Sequence, residues 1–169
     1  SSLEGGNKSN AIPREASAAV LVPKKSLDEA EAIVDKFHGL IQRELSAVEP
    51  DLLISCTASQ EKRKTKVLKR SLARRLVRTV SAMPHGVIKM SADVPGLVET
   101  STNMAVVSVD KKAVKLTTSQ RSSVASEIDE ICQTVASLLQ LGGASTEHSD
   151  VYPGWKPNFE SPILKRARA

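Results

Sequence analysis

A few polar side chains in this 169-residue chain have types and settings that suit carboxylate binding. Asn10 and Arg14 flank Pro13 in "NAIPREA", and Arg121 follows "TTSQ" at the end of an alternating run. A guanidinium presents a planar fork of donors that matches a carboxylate in geometry and charge. A carboxamide adds a donor and an acceptor. Pro13 lacks a backbone donor and restrains Ile12 before it, so the mouth of this strand has an unusual shape. The chemistry on offer is recognition of a small anionic terminus. The competing reading is that Arg14 and Arg121 close salt bridges at strand edges, and the residues alone leave both readings standing.

Other chemistries lack their residues. The histidines, His38, His85 and His148, stand in no convincing metal-binding motif, and no HExxH or CxxC occurs. There is no GxSxG nucleophile turn and no glycine-rich phosphate cradle. Cys56 and Cys132 each sit in an apolar pattern. Buried, reduced thiols are expected, which fits a cytoplasmic protein without a disulfide framework. No apolar run reaches the roughly 18 residues of a membrane span. The polar start "SSLEGGNKSN" lacks a signal-peptide core and reads as if cut from a longer chain.

Aromatic residues make up only 2% of the chain, so the core must be aliphatic and base-stacking surfaces are disfavoured. The net charge of +5 is concentrated: the run 61–78 holds nine of the 24 basic residues and one of the 19 acids. The remainder, with 15 basic and 18 acidic residues, carries −3. Within that run Leu68, Leu72, Leu76 and Val80 recur every four residues. They fix one helix face inward and send the charges to solvent, which favours a solvated outer face over a phosphate-binding stripe.

Periodicity supplies the elements that must position the candidate residues. A strand is expected from Ile12 to Val22. A capping box at Ser26–Glu29 opens a helix that ends before Pro50. The apolar run "DLLISCTA" (51–58) predicts a buried strand, followed by a helix over 59–82 and a short strand over 87–90. Two strands, 97–109 and 113–121, flank a turn at 110–112 and predict a hairpin. A helix over 123–141 ends at Gly142-Gly143, and 144–152 reads as a last strand. Ser161-Pro162 reads as the start of a further helix. The order from 51 to 152 is β-α-β-β-α-β, a ferredoxin-like unit in an α+β two-layer sandwich, with an antiparallel sheet and helices on one face. The strand-helix pair 1–50 stands before it as the remnant of a related unit, and 153–169 forms an exit loop and the start of a helix.

"NAIPREA" (10–16), "GLVETSTNMAVV" (96–107), "QRS" (120–122) and "YPGWKPNFESPIL" (152–164) resemble, in order, the bacterial aminoacyl-histidine dipeptidase family of two-zinc exopeptidases. The resemblance covers nearly the whole chain. It implies that the segment is most of the lid, or dimerisation, domain inserted into a catalytic domain that is absent here. The whole protein is then expected to be a cytoplasmic metallo-dipeptidase acting on Xaa-His and related dipeptides. Two divalent metal ions, expected to be zinc, would sit in the catalytic domain; no metal ligand, and no catalysis, is expected of this segment alone.

By the same resemblance Asn10 contacts substrate, Arg121 binds the dipeptide's terminal carboxylate, and Gly154 and Trp155 line the cleft. The expected partners are the dipeptide, the chain's own catalytic domain, and a second copy met through the lid or through an exposed sheet edge. Membrane and nucleic-acid partners are not expected. The alternative is a standalone ferredoxin-like interaction module that uses the basic helix 61–78 as its binding face.

Overall fold

A computed structural model describes residues 2–59, 67–110, 113–149, 154–155 and 158–168. These residues fall into two compact units, one of residues 2–18 and 68–169 and the other of residues 19–67.

The sheet of the first unit is built around one long strand, β4 (Val98–Val109). Its Val- and Thr-rich sequence suits an extended backbone. Along one edge it pairs antiparallel with β5 (Val114–Ser122), in a register that sets Ser101 opposite Arg121 and Asn103 opposite Ser119. Asp110 joins the two strands: its N–H donates to the Ala113 carbonyl at 3.0 Å, and its carboxylate accepts from the Ala113 N–H at 2.8 Å. The other edge of β4 is shared. β3 (Gly86–Met90) takes its first half, with Gly86 opposite Thr102. β1 (Ser2–Gly5) takes its end, with Gly5 opposite Val107, and β2 (Ala16–Ala19) lies beyond β1.

Between those two partners β4 has a gap. Residues 103–106 face neither β3 nor β1, and the ladder to β5 slips by one residue at Ala105. Such a bulge leaves backbone groups to be satisfied by other means. His85 fills part of the gap by accepting the Met104 N–H on Nδ1 at 3.1 Å. Gly6, at φ +68°, lies so close to the Ala105 carbonyl that a Cβ would collide with it.

Helix α3 (Ala125–Leu141) packs on β4 and β5; Ile131, Val135 and Ala136 of the helix are buried, as are Thr100, Thr102 and Ala105 of β4. α2 (Arg70–Ala82) packs on α3 through Leu76, while Arg70, Arg74, Arg75 and Arg78 point to solvent. The four-residue leucine ladder therefore fixes the inward face as expected. Gly142 and Gly143 end α3, where Thr79 leaves no room for a Cβ on Gly142 and the end of the exposed Arg75 side chain reaches over Gly143. A cation there suits the negative end of the helix dipole. A last helix, α4 (Pro162–Arg168), begins at Pro162 as expected.

In the second unit α1 (Leu27–Leu45) is entered through a 3-10 turn, Lys24–Ser26. The expected capping box is not formed, because the Ser26 side chain makes no bond to the helix end. No α1 residue is buried, and Ile33 (50%), Phe37 (51%) and Leu40 (40%) are markedly exposed.

The α+β class with an antiparallel sheet stands, but several strands differ. Residues 51–58 form no strand; instead the Ile54 N–H donates to His38 Nδ1 at 3.2 Å, so this backbone is tied to a helix side chain. Residues 144–149 form no strand either, and 150–152 lie outside the described residues. The strand expected from Ile12 shrinks to Ala16–Ala19, since Pro13 sits in a folded loop. Ser2–Gly5, a short strand without an alternating run, was not expected. The basic run is helical only from Arg70, and 60–66 lie outside the described residues.

Candidate carboxylate-binding groove

An open groove of about 960 Å³ runs along β5, on the edge that pairs with no described strand. Its walls bring together Ser9 and Asn10, the strand end around Arg121, the flank of α3 at Ile128 and Cys132, and Gly154 with Trp155. Asn10, Arg121, Gly154 and Trp155, the four residues to which the resemblance assigns a role, all line this groove. Arg14 is exposed but does not line the groove.

Arg121 stands on a well-anchored strand end. The hydroxyls of Ser122 and Thr100 share a hydrogen bond of 2.9 Å, and the Val124 N–H donates to Ser122 Oγ at 3.1 Å. The Ser123 N–H donates to the Glu99 carbonyl at 3.2 Å. Gly154 lies against the Ser122 carbonyl, where a Cβ would not fit. The Arg121 side chain itself is exposed, and among the described residues no hydrogen bond or ion pair engages its guanidinium. The salt-bridge reading of Arg121 thus finds no partner among them.

The nearest acid on β4 is already matched. Glu99, whose side chain is nearly buried, is held by Lys89 Nζ at 3.0 Å, and the same ammonium bonds Glu127. The Glu127 hydrogen bond first, and the Glu99 one second, hold Lys89 above the ordinary lysine pKa. Glu127 also accepts from Thr100 at 3.4 Å. Lys89 is thus shared by two carboxylates, and Glu99 and Arg121 both line the groove. Glu147 and His148 line the groove farther along. Burial first, and Asp129 second, push the Cys132 thiol up, so it stays protonated at neutral pH and is no nucleophile there.

Asn10 lies in the loop between β1 and β2, and its side chain is exposed. Its neighbour Ala11 is held at both ends. The Ala11 N–H donates to the Lys8 carbonyl at 3.4 Å, and the Ala11 carbonyl accepts from Asn103 Nδ2 at 2.9 Å. The loop is closed at its base by the Gly6 N–H donating to the Glu15 carbonyl at 3.2 Å, and the Pro13 ring packs close to Gly6. Pro13 therefore belongs to the folded loop that presents Asn10.

Ser9, Glu99, Ser101 and Asn103 were not expected at or beside the site. One signal was available: "ETSTN" places polar residues on both faces of a long strand, which a purely structural central strand seldom does. Among the described residues no three of His, Cys, Asp or Glu gather to hold a metal ion. Among the described residues no helix is long and apolar enough to cross a membrane.

Known proteins place this arrangement in context. A family described as "Peptidase dimerisation domain" matches residues 1–49. Over 166 residues, 98% of this chain, the sequence is 32% identical to the cytosol non-specific dipeptidase of Escherichia coli (strain K12), of which it covers 34%. The fold matches the crystal structure of the aminoacylhistidine dipeptidase from Vibrio alginolyticus with a TM-score of 0.86 and 30% identity, over 98% of this chain and 33% of that one. The chain thus spans about a third of the length of these relatives. The resemblance carried by the sequence motifs is borne out in sequence and in fold.

Proposed function

We propose that this chain, similar along nearly its whole length to one third of an aminoacyl-histidine dipeptidase, is the substrate-gripping lid of such an enzyme. The observation that carries the reading is the groove: Arg121, which no described residue engages, shares it with Asn10, Gly154 and Trp155. Arg121 takes the free carboxylate of an Xaa-His or related dipeptide, and Asn10 bonds its peptide group. A lid that ends the site in a fixed cation accepts short substrates with a free carboxyl terminus and excludes water on closure. Bond cleavage belongs to the catalytic domain, where two divalent ions, zinc in our reading, supply an activated water. The described residues of this chain gather no metal ligands, so its contribution is to bind and orient. The whole protein works in the cytoplasm as a homodimer. The outward arginines of α2 sit opposite its packed Leu76 face, as on a solvated helix, and the dipeptidase likeness gives the nucleic-acid alternative no support.

In the full-length protein, Arg121→Ala should lower kcat/KM for Xaa-His dipeptides by roughly 10–150-fold, the equivalent of a lost charge-assisted hydrogen bond. The loss should appear mainly in KM, with metal content unchanged. Arg121→Lys should recover part of it, since an ammonium keeps the charge but not the fork. Dipeptide kinetics indifferent to both substitutions would overturn the reading.

A further inference from the structure

Asn103 lies outside the groove lining yet touches the loop that carries Asn10. We propose that Asn103 is a positioning residue: it latches the Asn10 loop to β4 and so sets where the Asn10 carboxamide stands beside Arg121. The inference rests on the dipeptide-lid reading above.

The geometry begins with the gap in β4. At Asn103 the strand has β5 on one side and, among the described residues, no strand partner on the other. The 6–15 loop folds over this place, and its Ala11 carbonyl meets Asn103 Nδ2 at 2.9 Å. A carbonyl can only accept, so the amide nitrogen must be the end that faces it. The other end then has no partner among the described residues: Asn103 Oδ1 is buried and makes no hydrogen bond with any of them. Burying an unpaired acceptor is unfavourable, and the donor end is what offsets it.

Register connects the latch to the cation. Ser101 faces Arg121 across the ladder, and Asn103 faces Ser119. Residues two apart on a strand share a face, so Asn103 stands about 7 Å along the sheet from the Ser101–Arg121 pair, on the same face. Ala11 is held by Asn103 on its carbonyl and by Lys8 on its N–H, which leaves the adjacent Asn10 little freedom. The same strand therefore fixes both proposed substrate contacts, Arg121 through the ladder and Asn10 through Asn103.

The test uses the full-length protein with Asn103→Asp and Asn103→Leu. Asp is isosteric but turns an acceptor on the Ala11 carbonyl; Leu keeps the shape and has no donor. Amide hydrogen exchange across residues 6–15 and steady-state kinetics with an Xaa-His dipeptide are measured together. Both variants should speed exchange in the loop roughly tenfold or more while the β4–β5 amides keep their protection. KM should rise roughly tenfold with kcat little changed, and the rise should shrink below about threefold in an Asn10→Ala background, because both substitutions act on one contact. If Asn103→Asp does not fold, Asn103→Leu carries both measurements.

Unchanged loop exchange overturns the latch. Faster exchange with an undiminished kinetic loss in the Asn10→Ala background overturns positioning through Asn10. Faster exchange with kinetics insensitive to Asn10→Ala and Arg121→Ala removes the dipeptide reading, and with it the binding role of Asn103, while supporting the latch.

Discussion

Cys132 lines the groove from α3, and its pKa is raised above 9.0 by burial and by Asp129, whereas Cys56 is exposed. The thiolate is the reactive form, so the two should differ in rate. With iodoacetamide at pH 8, Cys56 should alkylate first and Cys132 markedly more slowly, and raising the pH should narrow the difference. Peptide mapping over time checks this, and equal rates at pH 8 would contradict the environment assigned to Cys132. Both cysteines were expected to be buried, since each sits in an apolar pattern; Cys132 is only partly buried, and Cys56 is exposed because its segment joins no strand. Asn10 and Arg121 were legible because an amide beside Pro13 and a guanidinium at a strand end are chemically conspicuous on their own. Glu99 and Asn103 were not. Their roles depend on Lys89 and Ala11, partners distant in sequence that only the folded register brings near.

At the scale of elements, the gap in β4 explains why a glycine stands at position 6. Gly6 and Gly86 both have positive φ, +68° and +95°. Around Gly86 nothing lies within 4 Å of an added Cβ, whereas at Gly6 it would strike the Ala105 carbonyl and crowd Pro13. Gly86→Ala should therefore cost about 1 kcal/mol, the strain of the left-handed backbone alone. Gly6→Ala should cost at least about 2 kcal/mol, because a backbone contact must also open. Urea unfolding of the two variants compares them directly, and equal midpoints would mean that the loop does not press on β4. The hairpin 97–121 and the helices were legible because their periods of two and 3.6 persist over many residues. The run 51–58 was misread because a short apolar stretch has no period of its own, and its backbone found His38 instead of a strand. β1 was missed because Ser2–Gly5 is too short to alternate; the end of β4 defines it.

For the molecule as a whole, the described core gathers on α3, α2 and β4, and α1 contributes no buried residue. Ile33, Phe37 and Leu40 recur at helical spacing on α1 and remain half exposed. In a chain with 2% aromatics, a half-exposed Phe37 beside Ile33 and Leu40 calls for something to cover it. The match to a peptidase dimerisation domain spans residues 1–49 and so includes α1, which makes a second copy the proposed cover. Full-length protein should then sediment as a dimer. Replacing Ile33 and Phe37 with Lys should place charges in a dry contact and shift it toward monomer, raising the dissociation constant by two orders of magnitude or more, about 2.7 kcal/mol. Neither residue lines the groove, so a well-folded monomeric variant would also show whether the groove needs a partner copy to bind dipeptide. A double variant that still sediments as a dimer would move the contact away from α1 and onto an exposed sheet edge, where unpaired strand groups can recruit a second chain.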